Sequence, residues 1–263
     1  MDTASHSISP EELAAVLGSA AAPVLLDVRR EERFLENERM LPGARRCPPE
    51  QVGRFAASAS PGEVIVYCVH GLEVGEQAAA QLRAAGWKAR YLQGGCETWM
   101  ERGLPTLRRR PDLGVSGEHP SRWITRERPK IDRIACPWLV RRFIDPAAEF
   151  LYVPVPMVFE EAKRMGAVAY DIAGAPITHE GEFCSFDALL RAFELQGPAL
   201  SALARIVRGA DTYRLDLAPQ SAGLLAISRG LSRLYASDHS MLEAALPVYD
   251  ALYAWCRGEG SGS

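Results

Sequence analysis

The sequence predicts an α/β protein in two parts: a parallel sheet with helices on both faces, then a second, mainly helical α+β domain. In the first part, short apolar runs alternate with helical segments over about 100 residues. The run at 24–28 is apolar at nearly every position, which is typical of a strand buried on both faces of a sheet. In the second part, the segments after residue 185 are all helical in pattern.

The first part begins with a helix that Ser9 caps, Pro10 opens and Gly18 ends. Two buried strands are predicted at 24–28 and 64–67, a further strand at 88–92, and two later helices at 74–85 and 96–102. Glycine and proline separate these segments, as expected for the turns between strands and helices. We therefore expect one α/β domain over residues 1–107.

Residues 108–120 keep no hydrophobic period and contain Gly, Ser and Pro, so they are predicted to form a linker. The second domain is predicted over 121–258, with residues 259–263 as a flexible tail. It begins with a helix over 131–144, in which Pro137 predicts a kink. The remaining elements are predicted as strands at 150–155 and 168–172, and helices at 158–165, 185–195, 198–208, 219–234 and 239–257.

Composition limits the classes of function. The chain has 263 residues, 48% of them hydrophobic, and a net charge of -3, so it is globular and a nucleic-acid partner is not favoured. The N-terminus lacks a basic start followed by an apolar run, and no early segment is long enough to span a bilayer, so we expect a cytoplasmic protein without a membrane partner. The six cysteines form no C-x-x-C pair, which argues against a disulfide scaffold.

Cys68 is the cysteine whose position indicates chemistry. It leaves the carboxyl end of a predicted buried strand, where α/β sheets bind their ligands. The short loop that follows contains Gly71 and leads into a helix, so backbone N–H groups and the helix N-terminus can stabilise a thiolate. Such a thiolate is a nucleophile for sulfur transfer. On spacing alone, a cysteine that merely packs beneath the helix is an equal alternative.

Three ordered strings in residues 1–107 resemble a single rhodanese domain. LLDVRREERF at 25–34, followed by LPGA at 41–44, resembles the first signature, and LQGGCETW at 92–99 resembles the second. The active loop of that family corresponds to Cys68 and the residues that follow it. The resemblance implies sulfurtransferase activity through a persulfide on Cys68, with Asp27 and Arg29 in support and no cofactor. The implied substrate-binding loop is Val69, His70, Gly71, Leu72 and Glu73.

The loop leaves the sulfur donor open. Rhodaneses often carry Arg, Ser or Thr where this chain has Glu73, and a carboxylate there should repel anionic thiosulfate. A persulfide, a polysulfide or thiosulfate therefore remains a candidate donor, with a thiol as acceptor. His70 is either a proton shuttle or an exposed loop residue, and Cys96 is either a resolving thiol or a buried one. The related Cys-x5-Arg phosphatase loop is excluded because its arginine position is Val74.

In the second part, three potential metal ligands lie within six residues: His179, Glu182 and Cys184. Asp211 is a candidate fourth ligand. A histidine with carboxylates suits manganese or iron, whereas a thiolate favours zinc. The spacing matches no standard metal motif, and the alternative is a capping carboxylate, a surface histidine and a buried cysteine.

Residues 122–257 resemble the C-terminal domain of the ChrB chromate-resistance family. The matching strings include RERPKIDRIACPWLVRRFID at 126–145 and IVRGADT at 206–212. The resemblance implies a link to chromate or oxidative stress, as a regulator or as an accessory protein. The basic segment 123–142 is either a solvated helix face or a contact for an oxyanion or a nucleic acid.

Together, these observations predict a sulfurtransferase with an accessory domain linked to chromate and oxidative stress. Two alternatives belong to other classes. One is a cytoplasmic redox or chromate-responsive regulator, and the other is a metal-dependent oxidoreductase that uses the second domain.

Overall fold

A computed structural model describes residues 6–259. The chain divides into two compact units, the first mainly up to Arg109 and the second mainly from Pro120 onward. In the described residues, no helix combines the length and the apolar character that a membrane span requires. The predicted tail at 259–263 lies outside the described residues, except for Glu259.

The first unit is built on a five-stranded parallel sheet in the order β1-β6-β5-β2-β4. A separate antiparallel pair joins β3 and β7. The strands are β1 Ser7–Ile8, β2 Val24–Asp27, β3 Arg39–Met40, β4 Ala44–Arg46, β5 Glu63–Tyr67, β6 Lys88–Leu92 and β7 Leu107–Arg108. The predicted parallel sheet is confirmed, and β5 lies at its centre.

Five helices surround this sheet. They are α1 Pro10–Val16, α2 Glu31–Glu36, α3 Val52–Ser58, α4 Glu73–Ala84 and α5 Gly95–Glu101. The sequence did not predict α2 and α3, which span only six and seven residues and carry one fully buried side chain each, Phe34 and Val52. Helices this short lack the repeated apolar face from which a helical period is recognised.

The second unit contains a three-stranded parallel sheet in the order β10-β8-β9. Its strands are β8 Arg122–Arg126, β9 Glu149–Val153 and β10 Val168–Ala169. Its helices are α6 Asp132–Leu139, α7 Val158–Met165, α8 Ser185–Ala192, α9 Pro198–Asp211, α10 Gln220–Leu234 and α11 Asp238–Glu259. The helical end of the chain therefore follows the predicted pattern, with shifts of a few residues at the helix ends.

Pro137 lies inside α6 and removes the hydrogen bond that would have gone to the carbonyl of Arg133. The hydroxyl of Tyr170 donates to that carbonyl at 3.2 Å. The chain then continues as a π-helix over Val140–Ile144. The predicted single helix over 131–144 is thus an α-helix followed by a wider turn, because the proline interrupts the regular ladder of bonds.

Two segments differ from their predictions. The strand predicted at 168–172 ends at Ala169, because Asp171 has a left-handed backbone with φ of 49°. Residues 108–120, predicted as a linker, include the end of β7, a 3-10 turn at Pro111–Leu113 and a bridge between Arg110 and Val115. These residues carry too few apolar side chains for their structure to be read from periodicity.

Candidate functional site

Cys68 directly follows β5, at the carboxyl end of the central strand of the first unit. Its side chain is only 6% exposed and lines a cavity of about 280 Å³. The loop after β2 closes one side of this cavity, and the loop leading into α4 closes the other. The lining residues are Arg29, Arg30, Arg33, Cys68, Val69, His70, Leu72, Glu73 and Val74.

Two glycines fix the shape of the loop after Cys68. Gly71 and Gly95 both have left-handed backbones, with φ of 65° and 60°. A Cβ on Gly71 would lie 2.6 Å from the backbone nitrogen of Gly94, and one on Gly95 would lie 2.5 Å from the carbonyl oxygen of Cys68. The N–H of Cys96 donates to that same carbonyl at 2.9 Å. The loop is thus held against the start of α5 by contacts that a side chain would prevent.

The first turn of α4 faces the loop without a side-chain cap. Leu72 occupies the cap position and makes no side-chain hydrogen bond to the helix. The N–H groups at a helix start carry partial positive charge and need an acceptor, so this end of α4 can stabilise an anion. A Cβ placed on Gly75 would lie 3.3 Å from the sulfur of Cys68, which shows how closely this helix approaches the thiol.

Asp27 and Arg29, the predicted supporting residues, form a fully buried ion pair. The Nε of Arg29 lies 2.9 Å from Asp27 Oδ1, and its second terminal nitrogen lies 2.6 Å from Oδ2. The Tyr67 hydroxyl donates to the same Oδ2 at 2.9 Å. Burial by itself lowers the pKa of Arg29, but its hydrogen bonds to Asp27 raise the pKa above the usual value. The pair therefore fixes the loop after β2 beside the strand that ends at Cys68.

The rim of the cavity carries charges of both signs. Arg30 and Arg33 are exposed, and Arg33 pairs with Glu36 at 2.7 Å. Glu73 is also exposed and accepts a hydrogen bond from the side chain of Gln77 at 3.1 Å. The predicted negative charge at Glu73 is therefore accompanied by arginines in the lining of the same cavity.

His70 is exposed, and its Nδ1 lies 2.8 Å from Glu97 Oε2. This arrangement orients the imidazole at the cavity rim. The two open interpretations, a proton shuttle and an exposed loop residue, are both compatible with this position.

The other five cysteines are buried thiols. Burial raises the pKa of Cys47 and of Cys96 to about 11 in each case. It also raises the pKa of Cys136, Cys184 and Cys256. A thiol with a raised pKa is a poor nucleophile near neutral pH, so the resolving role considered for Cys96 is not favoured.

A second cluster lies in the second unit, around His179. Its Nε2 is 3.2 Å from Asp211 Oδ2, 3.3 Å from Asp171 Oδ1 and 3.5 Å from Asp132 Oδ2. Hydrogen bonding to Asp132 and Asp171 raises the pKa of His179 to about 10. Burial, together with the charges of Asp132 and Asp171, raises the pKa of Asp211 to about 7.

The protein backbone holds two of these carboxylates in place. Asp132 begins α6 and accepts hydrogen bonds from the N–H groups of Ser185 at 2.7 Å and Phe186 at 2.8 Å, at the start of α8. Asp171 follows β10 and accepts a hydrogen bond from the Ser185 hydroxyl at 2.9 Å. The cluster therefore lies where strands of the three-stranded sheet end and helices begin.

The structure brings together only two of the four predicted metal ligands, His179 and Asp211. Glu182 is exposed and does not belong to the cluster of potential metal ligands found in the described residues. Cys184 is fully buried, and its sulfur lies 3.4 Å from Asp187 Oδ2. Asp132 and Asp171 were missed, because the sequence placed Asp132 inside a predicted helix and Asp171 inside a strand predicted to continue to residue 172.

Arginines of the basic segment make contacts inside the second unit. Arg133 and Arg126 approach Asp171 Oδ2 at 3.1 and 3.4 Å. Arg128 donates to the Tyr235 carbonyl at 3.0 Å, and Arg141 lies 2.5 Å from Glu243 Oε1. These contacts favour a structural role for this segment over a free basic surface.

Comparison with known proteins separates the same two regions. Residues 123–256 match the family model described as ChrB, C-terminal domain, and residues 9–102 match that of the rhodanese-like domain. Protein ChrB of Cupriavidus metallidurans is 33% identical over 152 residues, which are 53% of this chain and 45% of the relative. The chain thus spans less than half of that relative's length.

Several solved structures are similar to the first unit. A rhodanese-like domain from Anabaena sp. is 30% identical, covers 38% of this chain and 77% of its own, and has a TM-score of 0.35. A rhodanese homolog from Thermus thermophilus is 27% identical, covers 34% and 95%, and has a TM-score of 0.29. A structure described as a probable thiosulfate sulfurtransferase is 28% identical, covers 38% and 47%, and has a TM-score of 0.32.

Proposed function

We propose that this chain is a sulfurtransferase that acts through a persulfide on Cys68. The chain belongs to the ChrB C-terminal domain family. The proposal concerns the rhodanese-like domain that precedes the region of that family. The observation that carries the proposal is the position of Cys68, which lines a cavity at the carboxyl end of the central strand. The second unit would link this reaction to chromate or oxidative stress.

The chemistry takes place in two displacement steps. The Cys68 thiolate attacks the outer sulfur of the donor, a bond forms between the two sulfurs, and the donor leaves as a thiolate, or as sulfite if it was thiosulfate. An acceptor thiolate then attacks the outer sulfur of the Cys68 persulfide, and Cys68 leaves as a thiolate. Electrons and atoms balance within each step, so the reaction requires no metal or redox cofactor.

The loop and the first turn of α4 support the charged intermediates. A thiolate and a persulfide anion both carry negative charge beside Gly71 and the uncapped helix start. Arg30 and Arg33, which also line the cavity, supply positive charge. This combination favours a small anionic donor, even with Glu73 on the rim.

The test is intact-protein mass spectrometry of the reduced full chain after incubation with thiosulfate and, separately, with glutathione persulfide. We expect the wild type to gain one sulfur, about 32 Da, from at least one donor. Cys68→Ser should gain none. Cys96→Ser is the matched control, because Cys96 is buried beneath the same loop, and this variant should load sulfur like the wild type.

Two results would contradict the proposal. One is a folded wild type that gains no sulfur from either donor, and the other is an equal gain in Cys68→Ser. Loading by only one of the two donors would support the proposal and would identify the donor class.

One observation favours a second candidate function, a metal-dependent oxidoreductase in the second unit. His179 lies within 3.5 Å of carboxylates contributed by three separate segments of the chain. By contrast, the internal contacts of the basic segment do not favour the DNA-binding form of the regulator hypothesis.

A further inference from the structure

We propose that Asp132, His179 and Asp211 bind one divalent cation of the Mn²⁺ or Fe²⁺ class at the carboxyl edge of the second unit's sheet. The inference deepens the second candidate function and does not depend on the Cys68 reaction. The three side chains come from the start of α6, the segment between β10 and α8, and the last residue of α9.

The first argument is geometric. One ligand atom from each of the three residues lies within 4.8 Å of the other two. Ligands that bind a metal ion at about 2.1 Å lie about 3.0 Å apart when adjacent in an octahedral arrangement and about 3.4 Å apart in a tetrahedral one. The Nε2 of His179 is 3.2 Å from the nearest oxygen of Asp211 and 3.5 Å from that of Asp132. These atoms are therefore spaced as ligands around a common centre.

Hydrogen bonding alone accounts poorly for this spacing. A single imidazole N–H can donate well to one acceptor, but Nε2 has carboxylate oxygens of Asp132, Asp171 and Asp211 at 3.2–3.5 Å. These distances are longer than the 2.7–2.9 Å, roughly, of a good charge-assisted hydrogen bond. A shared cation would satisfy more of these oxygens at once.

The second argument is the balance of charge. Asp132 is 0% exposed, yet within the described residues neither it nor Asp211 pairs with a lysine or an arginine; His179 is their ion-pair partner. A buried carboxylate normally has a cation beside it. Asp171 has one already, since Arg133 lies 3.1 Å from its Oδ2. A divalent ion would neutralise the charges of Asp132 and Asp211. Asp171 would not bind the ion and would stay paired with Arg133.

Backbone contacts to Asp132 support this assignment. The two N–H groups at the start of α8 hold the Asp132 carboxylate at 2.7 and 2.8 Å, which fixes its orientation before any ion binds. His179 is 41% exposed, so one side of the site is open to water or to a substrate oxygen. Sites that keep an open position are typical of catalytic metals rather than structural ones.

The donor atoms indicate the class of metal. Two carboxylates and one imidazole form a hard, oxygen-rich set that suits Mn²⁺ or Fe²⁺. The thiols nearby do not join it: Cys184 contacts Asp187, and the sulfur of Cys136 lies 3.6 Å from Asp132 Oδ1 as a weak donor. A zinc site built on a thiolate is therefore not favoured.

The experiment measures metal binding by the full-length protein after removal of metals with EDTA and dialysis. Calorimetric titrations use Mn²⁺, anaerobic Fe²⁺ and Zn²⁺, and loss of the free Mn²⁺ electron-spin signal gives an independent readout. We expect about one Mn²⁺ or Fe²⁺ per chain. Asp211→Asn and His179→Ala should each weaken binding by about 100-fold or more.

The controls separate the site from its surroundings. Glu182→Gln changes an exposed carboxylate three residues from His179 and should leave binding unchanged, as should Cys184→Ser. Sulfur loading on Cys68 should stay at the wild-type level in Asp211→Asn, so failure of one proposal is distinguishable from failure of the other. Circular dichroism confirms that each variant is folded.

Three results would overturn the inference. The first is no binding of Mn²⁺ or Fe²⁺ by the metal-free wild type, whether or not Zn²⁺ binds. The second is binding that survives in both Asp211→Asn and His179→Ala. The third is binding that disappears in Cys184→Ser but not in Asp211→Asn, which would assign the ion to a different ligand set.

Discussion

The Cys68 site and the His179 cluster lie at equivalent places in their units, where parallel strands end, but the chain builds them in opposite ways. The nucleophile and its loop occupy one continuous segment, 68–73, which runs from the end of β5 to the first residue of α4. The cluster draws Asp132, Asp171, His179 and Asp211 from three segments spread over 80 residues. Parallel topology thus concentrates functional groups at one edge of a sheet, whether or not they are close in sequence.

The two sites also differ in how their buried charges are balanced. In the first unit, Asp27 is matched by Arg29 and by the Tyr67 hydroxyl. In the second unit, His179 is the one ion-pair partner that Asp132 and Asp211 have among the described residues. A buried carboxylate paired with an arginine is expected to maintain the fold. Buried carboxylates that repel one another destabilise the fold, and a bound cation can remove that repulsion.

The largest expected effect concerns the balanced pair. Asp27→Asn leaves the buried Arg29 guanidinium without a counter-charge, and we expect the free energy of unfolding of the first unit to fall by about 3–5 kcal/mol. Urea unfolding measures the change. Glu36→Gln, which breaks the exposed pair with Arg33, is the control and should change stability by less than about 0.5 kcal/mol. If Asp27→Asn lowered the free energy of unfolding by a similarly small amount, the ion pair would not stabilise the first unit as proposed.

A middle-sized effect concerns the space around the nucleophile. Gly75→Ala places a methyl group 3.3 Å from the Cys68 sulfur, and we expect sulfur loading to slow about tenfold. Stability should be unchanged or rise by up to about 1 kcal/mol, since alanine favours a helix. Time-resolved mass spectrometry gives the rate. Gly223→Ala is the control, because this helix glycine has open space around it, and it should not change the loading rate. An unchanged loading rate in Gly75→Ala would contradict the prediction, because it would show that a methyl group fits beside the Cys68 sulfur.

The smallest effect has the opposite sign from the first. Asp211→Asn removes a carboxylate that neighbouring carboxylates repel, so in metal-free protein we expect the free energy of unfolding to rise by about 1 kcal/mol. Thermal unfolding with EDTA present tests this. Asp216→Asn, which alters the exposed pair with Arg214, should be close to neutral. If Asp211→Asn destabilised the protein as strongly as Asp27→Asn, the His179 cluster would be another structural ion pair.

Sequence patterns located the first site because its parts are adjacent in the chain. A buried strand, a cysteine at its end, a glycine in the loop and the following helix can all be read within a dozen residues. The same patterns missed α2, which provides Arg33 to the cavity wall, because a single buried Phe34 gives no period. They also gave no indication that Gly75 faces the sulfur of Cys68.

In the second unit, the sequence grouped ligands by proximity along the chain. It therefore combined His179 with Glu182 and Cys184, which point elsewhere, and found only Asp211 beyond them. Asp132 was read as part of a helix and Asp171 as part of a strand. Nothing in their local pattern shows that the carboxylates face one imidazole.

By itself, the sequence determined the α/β class, the central strand and the cysteine at its end. These features follow from the hydrophobic period and the turn residues, which involve only residues that are close together in the sequence. Only the tertiary structure decided that Asp27 neutralises Arg29 beside that strand, and that Asp132 and Asp211 meet at His179. The physical reason is that charge balance and ligand geometry depend on distances of a few ångströms between side chains. The packing of sheets and helices sets those distances, and spacing along the chain does not.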